Sequence, residues 1–368
     1  MTGERPIALA CAAIAVATTG AAVVASLGAR DWSPTALIRM SSTEPMARLA
    51  REAEPGFQFV TPGGHYDGVY YYTIARDPFA RGEAHGLIDR PGYRYGHAGY
   101  GWLAGVVSLG RADLVPSALL AINLVAVAVA AFVGSALARQ YGWSPWGGVA
   151  VALNPGIIYA ATVDTSEPLG LAVLALALLA WTRRRWILGA AALVALCLIK
   201  EPFILVPAGL AAWEVVEAVR GRAAPDLRRR LLLLAAGPLA FSAWYLYLRI
   251  TFGHFPFTEA RDLTTWPVKG WVDSFRMAAT LGNGEFEASQ LGTAAVPLLA
   301  TFGAAIVIGL VLAARARTPL DLVYLPLALL VCGLSWLGLL YPKDLIRELA
   351  MPLALLPAVV AGAVRRPS

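Results

Sequence analysis

Ten long apolar runs dominate the sequence of 368 residues and constrain its fold more than any other feature. Most of them hold roughly 17–25 residues, the length of helix that crosses about 30 Å of hydrocarbon. Because a backbone in lipid must satisfy its own polar groups, the runs predict an all-α, polytopic membrane protein of about ten transmembrane helices. The runs lie near residues 7–28, 112–138, 146–162, 168–182, 186–199, 202–219, 231–249, 291–314, 319–340 and 349–364.

Composition excludes the common soluble classes. Hydrophobic residues make up 58% of the chain and charged residues 15%, against roughly half and a quarter in soluble domains. A soluble enzyme of this length would have to bury more apolar surface than one core can hold. The net charge of +6 does not indicate a nucleic-acid partner, because the basic residues lie in short segments between apolar runs. We therefore expect a single membrane domain over residues 1–368.

The distribution of charge predicts how the chain is oriented in the membrane. The segment 97–110 is apolar but holds only fourteen residues, which suits an interfacial helix better than a full crossing. If it does not cross and the N-terminus is inside, the inner segments contain fourteen basic residues and five acids, as the positive-inside rule requires. The chain also has 27 arginines against three lysines, a bias typical of GC-rich bacterial genomes. We therefore expect a protein of the bacterial inner (plasma) membrane with both termini in the cytoplasm.

This orientation leaves two long segments on the outer face, at about 29–111 and 250–290. Loops of that length in a compact protein are usually functional. All four histidines of the chain lie in these segments: His65, His85, His97 and His254. The rarity of histidine in lipid explains that distribution at least as well as a shared site does.

The most informative stretch of the first outer loop surrounds Asp67. Gly63 and Gly64 let the backbone turn, and Asp67 stands where the N-cap of a short helix would be. That helix would begin at about residue 68 and end before Pro78, because the residue before a proline disfavours helix. Tyr71 would share the face of Asp67, four residues further on. The acid is then either a helix cap or a general base facing the membrane surface.

Aromatic and basic residues accompany this acid in the first loop. Three consecutive tyrosines stand at 70–72, and a second aromatic and basic stretch follows at 87–97. Tyrosine stacks on sugar faces and also favours the membrane interface, while arginine binds phosphates through its planar fork. The residues of this loop that we expect to bind substrate are His65, Tyr71, Arg90, Arg94 and Tyr95.

Three short motifs carry a resemblance to known proteins: Tyr66-Asp67-Gly68, Asp77-Pro78 and Asp89-Arg90-Pro91-Gly92-Tyr93-Arg94-Tyr95. They resemble a bacterial family of multi-spanning proteins linked to cell-surface glycopolymer formation. Through that family the chain resembles the GT-C glycosyltransferases, among them protein O-mannosyltransferases, the lipid A aminoarabinose transferase and the oligosaccharyltransferases. The resemblance covers the order of elements over about residues 1–250, with residue matches at 66–97 and 164–168.

The resemblance implies an acid in the first outer loop, interfacial helices after it and a series of spans behind. Asp67 matches the acid with which GT-C enzymes bind or deprotonate the acceptor. The donor would be a sugar on a polyprenyl phosphate, presented from the outer leaflet. The chain departs from many metal-dependent members in having no adjacent Asp-x-Asp, so the need for a divalent metal stays open.

Further charged residues lie at the predicted outer ends of spans. Asp164 and Glu167 belong to an acidic turn that resembles the turn of the same family, and they either cap the next span or contact sugar hydroxyls or a cation. Lys200 lies near the outer boundary, where an ionisable group is costly unless paired or functional. We expect Lys200 to bind the donor phosphate rather than only pair with Glu201. Arg347 is a second candidate for that phosphate, with snorkelling as the alternative.

Together these residues predict transfer of a sugar from a polyprenyl-phosphate donor to an envelope glycan, lipid or protein, among membrane lipids. Asp67 would take the proton of the acceptor hydroxyl, while Lys200 and Arg347 would stabilise the departing phosphate. Two other classes stay open. A transporter or flippase for a lipid-linked saccharide would place ionisable residues at mid-span. A non-catalytic subunit of an envelope-assembly complex would tolerate loss of the Asp67 carboxylate.

Overall fold

The structure is a computed structural model, and it describes residues 5–60, 65–280, 294–315 and 317–364. Within these ranges the chain is helical, with two isolated β-bridges and no strand, so the predicted all-α class is confirmed. Five helices have the length and apolar composition to cross a membrane, and a pair of helices bent by 53° would add a sixth. The protein is a multi-pass membrane protein, as the apolar runs predict.

The α-helices of the described residues fall into long apolar helices and short connecting ones. Five of the helices given below are long and apolar enough to cross a membrane, two of them together with a short 3-10 turn before them. In chain order the helices are α1 (Arg5–Gly28), α2 (Ala47–Ala53), α3 (Gly68–Arg76), α4 (Pro91–Tyr95), α5 (Ala98–Val107), α6 (Val115–Gln140), α7 (Gly147–Ala152), α8 (Pro155–Ala161), α9 (Glu167–Thr182), α10 (Trp186–Ile199), α11 (Leu205–Val219), α12 (Leu227–Phe252), α13 (Lys269–Thr280), α14 (Ala295–Ala313), α15 (Pro319–Cys332), α16 (Trp336–Leu339), α17 (Pro342–Glu348) and α18 (Ala350–Val364).

Helices stand at the predicted apolar runs, but not every run is one long helix. The run at 146–162 is divided into α7 and α8, because Pro155 cannot donate a backbone hydrogen bond and begins a new helix. The run at 319–340 is divided into α15 and α16 around Gly333. The ten residues of α5 span only about 15 Å, which agrees with a non-crossing segment at 97–110. The number of crossings and their orientation stay predictions.

The chain divides into two compact units, each with its own packing. The first unit contains α3, α4, α5 and every predicted site residue except Arg347. The first unit consists of Met1–Leu153, Ile157–Glu201 and Gly237–Glu259, and the second of Asn154–Gly156, Pro202–Ala236 and Ala260–Ser368.

In the first unit, α3 is held in the interior by close backbone packing. The eight residues from Gly68 to Ala75 are all buried. A Cβ added at Gly68 would lie 2.7 Å from the carbonyl oxygen of Ile38 and 2.9 Å from that of Val163, so only glycine fits where these segments meet. A Cβ at Gly101 of α5 would lie 2.7 Å from the Ile74 side chain. These contacts fix the start of α3, and with it the position of Asp67.

In the second unit, charged side chains join neighbouring helices. Arg230 at the start of α12 lies 3.2 Å from Glu214 of α11 and 2.8 Å from Asp226. α15 begins at a capping box in which Thr318 and Asp321 each accept a hydrogen bond from the other's backbone. These pairs stabilise helix ends and involve none of the predicted site residues.

Candidate functional site

Asp67 stands directly before α3 with a side chain that is 26% exposed, although the helix behind it is buried. In the part of the chain that the structure describes, its carboxylate accepts no capping hydrogen bond from the backbone of α3. Its Oδ1 instead lies 3.3 Å from Nη1 of Arg94. The sequence left open whether Asp67 caps the helix or acts as a general base. The described structure lacks the hydrogen bond that would make it a cap. The carboxylate is therefore available for contacts outside its own helix.

Arg94 holds this carboxylate from α4. Its Nη2 donates to the hydroxyl of Tyr70 at 3.0 Å and lies 3.4 Å from Oδ2 of Asp89, and its guanidinium stacks 3.7 Å from the centre of the Tyr70 ring. Burial alone would lower the pKa of Arg94, but Asp67, Tyr70 and Asp89 raise it overall. Arg94 is therefore a fixed cation, and it favours the ionised form of Asp67.

His65 supports the same cluster. Its Nε2 lies 3.0 Å from the Tyr70 hydroxyl, and its Nδ1 lies 3.4 Å from Oε1 of Glu44. The predicted residues Asp67, Arg94 and His65 are thus brought together around Tyr70, which sequence reasoning had noted only as one of three tyrosines. The sequence alone does not single out Tyr70, because every residue from 69 to 72 is apolar or aromatic.

A second polar cluster lies on the Tyr71 side of α3. The Tyr71 hydroxyl lies 2.8 Å from Oγ of Ser166, and Nζ of Lys200 lies 3.1 Å from Oε1 of Glu167. The Lys200 and Glu167 side chains are 16% and 5% exposed. Burial raises the pKa of Tyr71, Glu167 and Asp67 add to this, and Lys200 opposes it. The charge of Lys200 is shared with a carboxylate, which limits what it can offer to a phosphate.

One pair in this region was not predicted from the sequence. Nε2 of His97 contacts a carboxylate oxygen of Glu201. The contact arises because α5 packs on the end of α10, where a Cβ added at Gly99 would lie 3.0 Å from the backbone of Ile199. In the sequence, both residues lie next to the ends of apolar runs, which is the signal that could have indicated this contact. His97 precedes α5, and Glu201 follows α10.

Asp164 is the most deeply buried acid of the predicted set. Its side chain has no exposure, and among the described residues neither carboxylate oxygen has a hydrogen-bond partner. Its backbone is left-handed, with φ of 48°. Burial raises the pKa of Asp164 well above its ordinary value. Burial without a partner favours the neutral form of this carboxyl group, which can donate a hydrogen bond but is a poor ligand for a cation.

The remaining predicted residues are placed differently. Tyr95 is fully buried and donates its hydroxyl to the backbone oxygen of Asp77 at 2.7 Å, which anchors α4. Arg90 adopts φ of 47° before Pro91 and is half-buried. Arg347 belongs to the second unit, where it lies 3.1 Å from Glu348 with 10% of its side chain exposed.

Asp77 belongs to the quoted motifs but has a structural environment. It accepts hydrogen bonds from the backbone amides of Arg81 at 2.8 Å and Gly82 at 3.0 Å, and lies 3.0 Å from Nδ1 of His85. Burial acts to raise the pKa of Asp77, but these hydrogen bonds outweigh it and the pKa is lowered. Asp77 therefore ties the end of α3 to the loop that follows.

Every histidine of the chain contacts a carboxylate. The pairs are His65 with Glu44, His85 with Asp77, His97 with Glu201 and His254 with Glu259. Among residues 5–60, 65–280, 294–315 and 317–364, no group of three or more histidine, cysteine, aspartate or glutamate side chains is arranged to hold a metal ion. Each of the four histidines therefore has a carboxylate neighbour of its own.

No protein-family model and no curated protein matches the chain. Among solved structures, the chain is similar to ArnT from Cupriavidus metallidurans in the apo state, with a TM-score of 0.49 and 16% sequence identity. The match covers 97% of this chain and 60% of that one. The chain therefore spans about three fifths of the length of the ArnT structure that it resembles.

Proposed function

We propose that the protein is a membrane glycosyltransferase of the GT-C type. It would move a sugar from a polyprenyl-phosphate donor to a cell-envelope acceptor on the outer face of the membrane. One observation carries the proposal. The Asp67 carboxylate is partly exposed at the end of a buried helix, is not used as a cap, and is held by a half-buried arginine.

In this mechanism, Asp67 accepts the proton of the acceptor hydroxyl as the oxygen attacks the anomeric carbon of the sugar. A new carbon–oxygen bond forms to the acceptor, and the bond between the anomeric carbon and the phosphate oxygen breaks. The electron pair leaves with the phosphate, which gives polyprenyl phosphate as the second product. A single displacement inverts the configuration at the anomeric carbon.

Arg94 has a positioning role in this proposal. It holds Asp67 at 3.3 Å and is itself fixed by Tyr70 and Asp89. A general base must stand within hydrogen-bond reach of the proton that it takes, so its geometry matters as much as its pKa.

The test uses the full chain reconstituted in nanodiscs with a panel of polyprenyl-phosphate sugars and a cell-envelope extract as acceptor. Release of polyprenyl phosphate and transfer of labelled sugar are both measured. We expect one donor to be consumed by the wild type, and Asp67→Asn to lower its turnover by about 100-fold or more, the usual contribution of a general base. Asp113→Asn is the matched control, because Asp113 is an exposed acid whose pair with Arg111 lies apart from the site.

Two results would contradict the proposal. If the wild type cleaves no donor of the panel but moves one across a liposome membrane, the protein is a flippase. If Asp67→Asn consumes the donor as fast as the wild type, Asp67 is not the base.

A further inference from the structure

Arg39 is a half-buried cation that pairs with no carboxylate of the described residues. Among the residues that the structure describes, its side chain forms no hydrogen bond and no ion pair, and its Nε is fully buried. Its backbone is left-handed, with φ of 57°. A guanidinium removed from water without a partner is costly. Arg39 thus has donors directed into the protein that nothing in the described chain satisfies.

The surroundings of Arg39 add positive charge and aromatic rings. Burial lowers the pKa of Arg39, the like charge of Arg30 lowers it further, and only Tyr159 and Tyr66 act in the opposite direction. The rings of Tyr66 and Tyr159 meet edge to face, with centres 5.7 Å apart. Arg30 itself reaches only the carbonyl oxygen of Ser26, at 3.5 Å. Two arginines therefore lie near each other, and in the described structure neither forms an ion pair with a carboxylate.

Arg39 also lies beside the proposed base. The backbone amide of Tyr66, the residue before Asp67, donates to the carbonyl oxygen of Arg39 at 3.0 Å. The carbonyl of Ile38 meets Gly68, the residue after Asp67. The backbone on both sides of Asp67 is thus in contact with the segment that carries Arg39.

Two other cations of the first unit that were expected to bind substrate, Arg94 and Lys200, have acidic partners. Arg94 is matched by Asp67 and Asp89, and Lys200 by Glu167. A phosphate that binds to either of them must compete with a carboxylate already in place. A phosphate that binds to Arg39 displaces no carboxylate of the described residues, and its negative charge offsets the positive charge of the arginine.

The position of this site in the chain favours an anion that belongs to a lipid. Arg30 follows α1 by two residues, and α1 is one of the helices long and apolar enough to span a membrane. Trp32, 63% exposed, lies in the same segment. Tryptophan and arginine just beyond the end of a span are typical of the headgroup layer, where lipid phosphates lie.

We propose that Arg39, assisted by Arg30, binds the phosphate of a membrane lipid beside Asp67. This inference rests on the proposed function in taking that lipid to be the polyprenyl-phosphate donor. It assigns the phosphate to a residue other than Lys200 or Arg347. The planar fork of arginine suits two oxygens of one phosphate, and Tyr66 and Tyr159 border the same place.

The test is binding without turnover, measured on the full chain in nanodiscs with undecaprenyl phosphate as the probe. Undecaprenol, which lacks the phosphate, and phosphatidylglycerol, a bulk phospholipid, are the comparison ligands. We expect Arg39→Gln to weaken binding of undecaprenyl phosphate by about tenfold or more, as loss of a charge-assisted contact does, and Arg39→Lys to weaken it less. Lysine and glutamine meet the same left-handed backbone cost as arginine, so the comparison isolates the charge.

Arg111→Gln is the control, because it removes an exposed arginine of the same predicted loop, paired with Asp113. Unchanged binding of undecaprenyl phosphate by a folded Arg39→Gln protein would overturn the inference. Loss of phosphatidylglycerol binding alone would overturn the assignment to the donor. Asp67→Asn should bind undecaprenyl phosphate like the wild type. If the wild type turns over no donor but its binding of undecaprenyl phosphate still depends on Arg39, the proposed function is wrong and this inference stands.

Discussion

Two aspartates stand at the two ends of α3, and their environments differ. Asp77 at the C-terminal end is 7% exposed, and its oxygens accept hydrogen bonds from three backbone amides and face a histidine. Asp67 at the N-terminal end is 26% exposed and is held by the side chain of Arg94, without a capping bond in the described structure. Aspartate thus anchors the backbone at one end of α3 and presents a partly exposed carboxylate at the other.

The contrast teaches how to separate a structural acid from a candidate reactive one. An acid that accepts hydrogen bonds from several backbone amides ties segments of the chain together, so its removal lowers stability. The described carboxylate contact of Asp67 is instead with a side chain, the guanidinium of Arg94. By this criterion Asp67 is the candidate for chemistry, although Asp77 belongs to an equally conspicuous motif of the sequence.

The largest effect on stability should come from Asp77→Ala. It leaves the amides of Arg81 and Gly82 and the ring of His85 without their acceptor. We therefore expect a loss of about 2 kcal/mol in the free energy of unfolding. Titration with SDS in mixed micelles measures it, with the exposed Asp113→Ala as control. An unfolding free energy equal to that of the wild type would remove the distinction between the two aspartates.

A smaller effect is expected on turnover from Arg94→Gln. Asp67 keeps its charge but loses its fixed position, so the rate of sugar transfer should fall by about tenfold, with a smaller loss in Arg94→Lys. Steady-state assays on the donor identified from the panel measure both variants beside Arg111→Gln. Full activity of Arg94→Gln would mean that Arg94 does not position Asp67.

The smallest effect should appear as a pH dependence of stability. Because the pKa of Asp77 is lowered in the folded state, its contribution is fully present above its ordinary value of 3.8 and is lost as the pH falls through the lower folded value. The difference in thermal midpoint between the wild type and Asp77→Asn should be constant from pH 7 to about pH 5 and shrink below about pH 4. A difference that grows on acidification would contradict the direction of the shift.

Local features of the fold followed from the sequence. Pro78 and the residues around Asp67 predicted a helix from about 68 that ends before the proline, and α3 runs from Gly68 to Arg76. The length of the run at 97–110 predicted a short segment, and α5 has ten residues. Such features depend on neighbours in the chain, which hydrophobic periodicity and proline chemistry report directly.

Contacts between distant segments did not follow from the sequence. Tyr95 carries a hydroxyl suited to a sugar, yet packing of α4 directs it to the backbone of Asp77. His97 and Glu201 meet only because α5 packs on the end of α10. Arg39 stands in no motif, and its lack of an acidic partner is a property of the folded chain. Burial and partner identity decide these roles, and neither is visible in composition or spacing.

The measurement that tests the central claim most directly is turnover per folded molecule of Asp67→Asn and Asp77→Asn, assayed side by side in nanodiscs on the same donor. The account predicts that Asp67→Asn keeps the thermal midpoint of the wild type and loses turnover by about 100-fold or more. It predicts that Asp77→Asn unfolds at a lower temperature and, once corrected for the folded fraction, turns over like the wild type. Equal loss of turnover in the two variants, or full activity of Asp67→Asn, would contradict it.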